Sequence, residues 1–436
     1  MQASKATRFV CAVFFLALST VARAQAPQAS QAAPATQIAS FDDTARLLAG
    51  MSVPDQSPLF PLTQDLVAKQ HATHFDNAFG NLDKNQLSKV RVWSAANLTS
   101  PSPVLFYMFG GPDFLYADAF FPNATTYVLS GLEPVGPIPD LLKMSRWSAL
   151  QGLRNIEGSL RSVLTVSYFI TVDMYRDLNA GPIPGTLPIL YVFLARSGKT
   201  IHDVSLVHLD EQATLQPGDG IRPWKPVRGV KIVFSAPGGP QKTLYYFSGN
   251  LSDSRLNHIL QFCRSLGAGD SFVKSASYLL HQQSFSQVRN FLLTNSATLL
   301  QDDTGVPIAY FEPPKWRLRG FGRYVMPIFP SYYQPRLQEF YQRTPPTPID
   351  FGVGYRWRPN ESNLLVAVRN ETVADVTGAV PEAQPQPPQP PQPAPPRPQA
   401  QQQYVPRPAP SPPTYSPDRD GPPFPIFPFF LFGPPQ

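Results

Sequence analysis

The spacing of apolar residues changes character several times along the chain, and each change predicts an element. Asp42 to Leu48 reads as a short helix closed by Gly50, and Thr63 to Leu82 as a longer one with Val67, Phe75, Ala78 and Phe79 near one stripe. Val104 to Phe109 is a near-continuous apolar run, which suits a strand covered on both faces. It meets Gly110-Gly-Pro-Asp113, then a short helix to Phe121 stopped by Pro122, then a second strand from Thr125 to Leu129. Strand, helix and strand in such close order predict a parallel pair with a crossover. Leu150, Leu153, Ile156, Leu160, Val163, Ile170 and Met174 follow at helical spacing and predict a long helix ending before Asn179. Thr186-Leu-Pro188 opens an almost wholly apolar helix, Ile189 to Ala195, too short to cross a bilayer.

The second half turns to hairpin signals. Val230 to Phe234 and Thr243 to Phe247 flank a Pro-Gly-Gly-Pro loop, and Ala297 to Gln301 and Val306 to Phe311 flank Asp302-Asp-Thr-Gly305. Helices are expected over Asp253 to Leu266, over Phe272 to His281, and from the capping box Ser284-Phe-Ser-Gln287. Trp316 to Val325 is strand-like, a helix is expected near Gln334 to Gln342, and Asp350 to Trp357 would pair with Asn363 to Arg369. The expected class is α+β, with mixed sheet elements and several helices. A parallel strand pair belongs to the first half and antiparallel hairpins to the second.

Both ends differ from this middle. A basic stretch with Lys5 and Arg8, an apolar run from Phe9 to Leu18 and a small-x-small site at Ala22-Arg-Ala24 make residues 1–24 an export signal. Ten or so apolar residues fall short of the roughly 20 that span a bilayer, so cleavage is expected rather than anchoring. Residues 25–38 read as a flexible spacer and 39–372 as a globular α+β domain, with 211–228 the place where two subdomains would divide. From 373 to 436 the chain becomes a Pro- and Gln-rich tail expected to stay disordered, ending in the apolar stretch Phe424 to Phe432. The expected location is therefore secreted or periplasmic, with no transmembrane span left after cleavage.

Charge and cysteine count narrow the classes. Loss of Lys5, Arg8 and Arg23 with the leader takes the net charge from +6 to +3, which gives no electrostatic mandate for nucleic acid. Cys11 leaves with the leader, so Cys263 has no partner for an internal disulfide and the domain must rest on its core. Cys263 falls on the apolar face of its expected helix, as a buried inert thiol would.

Candidate chemistry is sparse. Glycines between a strand end and a helix start can aim backbone amides at an anion, and Gly110 to Asp118 resembles the Gly-Gly-Pro loop of some α/β-hydrolases. That resemblance implies oxyanion donors, yet no Gly-x-Ser-x-Gly turn occurs to carry a nucleophile. Asp113 and Asp118 are the carboxylates of this loop, and His202 and His208 the histidines that could serve them in acid/base work. Ser271-Phe-Val-Lys274 resembles the Ser-x-x-Lys pattern of serine acyltransferases, without their later motifs in order. His71 and His74 have metal-ligand spacing but border an apolar stripe, and no metal or cofactor is implied. Asp302-Asp-Thr-Gly305 reads as a turn. For binding, Trp316, Arg317, Arg319, Arg323 and Tyr324 gather guanidinium groups and aromatic rings that suit carboxylates, phosphates or sugars. The leading expectation is a non-catalytic module of the cell envelope or periplasm that binds a protein or glycan; the alternative is a hydrolase around Gly110 to Asp118 with a histidine.

Overall fold

The computed structural model describes residues 39–168, 181–218, 226–253 and 258–370; the leader, the spacer, the tail from residue 373 and the Ile170 and Met174 end of the long helix lie outside them. The first described segment is helical: α1 (Phe41–Leu48), α2 (Phe60–Thr63), α3 (Leu66–Leu82) and α4 (Ser88–Asn97). Local capping sets the starts, with Ser40 accepting from the Asp43 amide at 3.0 Å and Asp65 from the Val67 amide at 2.8 Å. One π-helical turn, Asp83–Leu87, joins α3 to α4. Gln86, carried by this turn, is buried and donates to the Gly352 carbonyl.

Then come β1 (Val104–Tyr107), α5 (Phe114–Phe120), β2 (Thr126–Gly131), α6 (Arg146–Val166) and α7 (Leu187–Arg196). Next are β3 (Thr200–Leu209), β4 (Leu215–Pro217), β5 (Val227–Ser235), β6 (Gln241–Ser248), α8 (His258–Ser265) and β7 (Gly269–Val273). The last elements are α9 (Ser286–Asn295), β8 (Ser296–Gln301), β9 (Trp316–Gly322), α10 (Pro335–Arg343) and β10 (Asn363–Arg369).

These strands make one mixed sheet in the order β4-β3-β5-β6-β2-β1-β7-β8-β10-β9, so strands on both sides of residues 211–228 share it. The class is α+β. The parallel pair β1 and β2 is present, and so is the hairpin of β5 and β6. Parallel pairing, however, is not confined to the first half: β7 lies parallel to both β1 and β8. Residues 272–281 are not one α-helix: Phe272 and Val273 complete β7, and only Leu279–His281 forms a 3-10 turn. Val306 to Phe311 contributes only a 3-10 turn at Ile308–Tyr310, and β8 pairs antiparallel with β10 instead. β10 takes β9 on its other side, so Asp350 to Trp357 is not its partner.

Strand alternation divides the core. Leu105 and Tyr107 of β1 face a layer built from α1, α3, α4, α5, α6 and α7, while Val104 and Phe106 face a layer containing α8 and α9. Burial on both faces is what the unbroken apolar run of β1 requires. Cys263 on α8 is fully buried in the second layer, where loss of water pushes its thiol pKa up and leaves it inert.

Candidate functional site

At the centre of the sheet β1 has β2 on one side and β7 on the other, so the chain leaves the neighbouring strand ends in opposite directions. Such a switch point opens a crevice beyond the carboxyl ends of the strands, where α/β sheets hold their ligands. Here four neighbouring parallel strands, β2, β1, β7 and β8, are each followed by buried ionisable groups: Asp113 after β1, Glu133 after β2, Lys274 after β7, and Asp302 with Asp303 after β8.

Lys274 and Asp113 are the centre of this set. Nζ lies 2.7 Å from Asp113 Oδ2, with each side chain only 2 % exposed. Nζ also donates to the Ser167 carbonyl at 2.6 Å and sits 3.6 Å from the centroid of the Tyr116 ring, a cation on an aromatic face. Asp113 accepts from the Tyr107 hydroxyl at 2.9 Å on Oδ2 and from the Tyr116 amide at 3.2 Å on Oδ1, so the same carboxylate caps α5. Burial lowers the Lys274 pKa against the opposing pull of Asp113. Burial, then the Asp113 charge, raises that of the Tyr107 phenol, which stays protonated and remains a donor.

The loop after β7 is strained. Ser275, Ser277 and Tyr278 have φ of 54°, 49° and 57°, a region that non-glycine residues seldom enter. The turn after β8 holds it there. Asp302 accepts from the Ser275 amide at 2.9 Å, the Thr304 hydroxyl from the Ala276 amide at 2.8 Å, and Asp303 from the Tyr278 hydroxyl at 2.5 Å. From above, the Tyr355 hydroxyl donates to the Ser275 carbonyl at 3.1 Å and lies 2.7 Å from the Ser277 hydroxyl. Gly354, at φ 59°, passes so close that a Cβ there would meet Asp302 Oδ2 at 2.3 Å and Lys274 Cγ at 3.2 Å.

Loss of water raises the pKa of both aspartates of this turn, and the Asp302 charge beside it helps push Asp303 up to about 7. The sign of the consequence is definite. Below pH 4 Asp303 carries its proton in the folded and unfolded chains alike. Between about pH 4 and 7 the unfolded chain releases it while the folded chain keeps it, so stability falls as pH rises. Asp303→Asn, whose amide oxygen still accepts from Tyr278, is therefore expected to flatten the urea-unfolding stability profile across that window. The wild type should fall more steeply by up to about 1.4 kcal/mol per pH unit; equal slopes would refute the assignment.

The candidate hydrolase residues do not assemble. Asp118 points away from Asp113, pairing with Lys199 at 2.9 Å. His202 and His208 both lie on β3, with His202 Nε2 2.8 Å from the Ser235 hydroxyl and His208 Nδ1 3.3 Å from the Gly218 carbonyl. β3 is four strands from β1, about 19 Å at the usual strand spacing. The Gly111 amide is used inside the fold, donating to the Ser130 carbonyl at 3.0 Å, and Gly110 lies against the Tyr107 ring, where a Cβ would meet it at 2.5 Å. Ser271 and Lys274 share no face, because on a strand positions three apart point oppositely; Ser271 Oγ instead lies 2.7 Å from Ser296 Oγ.

Comparison of the chain with protein-family models, with curated proteins and with solved structures finds no match. The site must speak through its own geometry. Among the described residues no group of three or more His, Cys, Asp or Glu side chains could hold a metal ion. Both ring nitrogens of buried His71 are already engaged, Nδ1 with Glu157 at 2.7 Å and Nε2 with the Leu48 carbonyl at 2.9 Å. Burial would raise the Glu157 pKa, but the His71 contact prevails and holds it below the ordinary value.

The aromatic and basic set on β9 is divided by its own strand. Trp316 is 4 % exposed, packed on Phe311 at 5.4 Å and covered by the Arg369 guanidinium at 4.7 Å, so it is core. Arg317 and Arg319 are exposed, and Arg319 donates to Asn97 at 2.8 Å on the side of α4. Tyr324 is half-buried 6.4 Å from Tyr341 of α10, beyond Gly322, whose φ of 77° ends the alternation before exposed Arg323. These residues form no single ligand face. Among the described residues no helix is long and apolar enough to cross a membrane.

A surface that the sequence does not announce lies elsewhere. Trp147 near the start of α6 is 73 % exposed and Leu66 at the start of α3 is 69 % exposed. Arg146 and Asp65, the residues immediately before them, form an ion pair at 2.7 Å that ties the two helix starts together. Leu142, five residues before Trp147, is exposed as well.

Proposed function

We propose that the protein is a non-catalytic binding module of the cell envelope or periplasm, exported by its leader, whose partner is another protein. The observation that supports this reading is the exposed pair Trp147 and Leu66 on two helix starts locked by Arg146 and Asp65. Large side chains kept in water on rigid elements are what protein interfaces use as anchors, and Trp and Arg are the commonest of them. The apolar character of the patch favours a protein over a glycan. A hydrolase is disfavoured by the separation of Asp113 from both histidines and by the use of the Gly111 amide inside the fold.

The test is a photo-crosslinking residue placed at position 147, and for comparison at exposed Arg228 on β5, in cells that make the protein. A discrete adduct is expected at 147 alone. The double substitution Leu66→Ala and Trp147→Ala should weaken binding of that adducted partner at least tenfold, since each anchor contributes above about 1 kcal/mol. Unaltered affinity, with the fold intact by circular dichroism, would defeat the proposal.

A further inference from the structure

We propose that Lys274 and Asp113 become joined by an intramolecular amide bond between Nζ and Cγ, a covalent staple across the centre of the sheet. The inference does not depend on what the protein binds. Three features of the pair suit it to this reaction.

The first is placement. Nζ is 2.7 Å from Oδ2, and the Ser167 carbonyl and the Tyr116 ring hold the ammonium from two further sides. The nucleophile thus waits one bond away from the carboxyl carbon, with its translational freedom already spent. The second is charge. A buried ion pair is expensive to keep, whereas an amide in the same space is neutral. Burial lowers the lysine pKa, which favours transfer of its proton to the carboxylate and leaves a free amine facing a neutral acid. The third is stabilisation of the addition step. The Tyr107 hydroxyl donates to Oδ2 and the Tyr116 amide donates to Oδ1, so both oxygens of a tetrahedral intermediate have a donor.

The balance is that of a condensation. The amine lone pair forms the C–N bond to Cγ, the bond from Cγ to Oδ2 breaks, and Oδ2 departs as water with the proton first moved from the lysine and a second proton lost by the nitrogen. Oδ1 remains as the amide oxygen under the Tyr116 N–H. Nothing is oxidised or reduced, and no co-reactant is needed. A second buried carboxyl, Asp302, lies near the lysine stem: its Oδ2 and Lys274 Cγ both crowd the same point above Gly354. Burial raises its pKa, so it can carry the second proton from nitrogen to the leaving oxygen.

The staple would close the chain between residues 113 and 274, linking β1 to β7 where no disulfide is available among the described residues. It resists reductants.

The experiment is a tryptic map of the full chain purified from cells, denatured before digestion. The expected result is no cut after Lys274, and one species holding the peptides of Asp113 and Lys274 at their summed mass less one water. On a denaturing gel the closed chain should migrate apart from Asp113→Ala, in which cutting after Lys274 returns. If Asp113→Ala does not fold, the wild-type map still decides: complete cutting after Lys274 and an unlinked Asp113 peptide overturn the proposal. Asp302→Asn tests the relay separately. Slower appearance of the linked species after synthesis supports it, and an unchanged rate removes Asp302 from the reaction.

Discussion

In the chain whose Lys274 and Asp113 have not yet joined, replacement of Lys274 by methionine is expected to cost about 3–5 kcal/mol of stability, the range for stripping one partner from a buried pair. Asp113, 2 % exposed, would lose its cation while keeping the hydrogen bonds from Tyr107 and the Tyr116 amide. Urea unfolding should show the midpoint falling by about 1.5 to 2.5 molar, with a slope of about 2 kcal/mol per molar. Adding Asp113→Leu to the same chain should recover most of the loss, because the stranded charge is then gone. What stays lost is the cap of α5, about 1 kcal/mol. A double variant no more stable than the single one would mean that the cost comes from lost packing rather than from an abandoned charge.

Gly354→Ala should be the most damaging small substitution near the site, at about 3 kcal/mol or more. Its φ of 59° disfavours any side chain, and the added methyl would press on Asp302 Oδ2 at 2.3 Å and Ser275 Oγ at 2.8 Å. Asp302 is the acceptor that holds the Ser275 amide, so pushing it aside frees the strained loop. Hydrogen exchange should therefore quicken at the Ser275 and Ala276 amides beyond what the global loss explains. Exchange unchanged at those two positions would show that Gly354 does not press on the loop.

How much of this was legible can be argued from particular residues. The β1 run, Val104 to Tyr107, was readable because both layers demand apolar side chains and the sequence shows no polar interruption. Cys263 was readable for the same reason: its helix has one apolar face. β7 was not. Phe272, Val273, Ala276, Leu279 and Leu280 satisfy a helical spacing, and only the tertiary neighbours β1 and β8 make Gly269–Val273 a strand. A helix over residues 272–281 pairs Lys274 with Ser271 and conceals its place opposite Asp113, since a lysine at the carboxyl end of a sheet strand carries a meaning that a lysine on a helix does not. Asp302 and Asp303 read as a turn, and they are one; their burial comes from α10 and β10, which the local pattern cannot report. The signal that could have found the site is the recurrence of an ionisable residue close behind each buried apolar run: Asp113, Glu133, Lys274, Asp302. Trp147 and Leu66 had no signal at all, because helix rotation decides whether such a residue is core or surface.

The position of β10 has a consequence for how the chain is assembled. This final strand lies between β8 and β9, so β9 reaches the sheet only through residues 363–369. A chain emerging from its N-terminus leaves Trp316 to Gly322 with only the single bridge of Phe321 to Thr347 until residues 363–369 are delivered. Contacts separated by so much sequence form late. Eight strands, from β4 across to β8, can pair without β10, so the sheet is completed at one edge, where that strand brings β9 in.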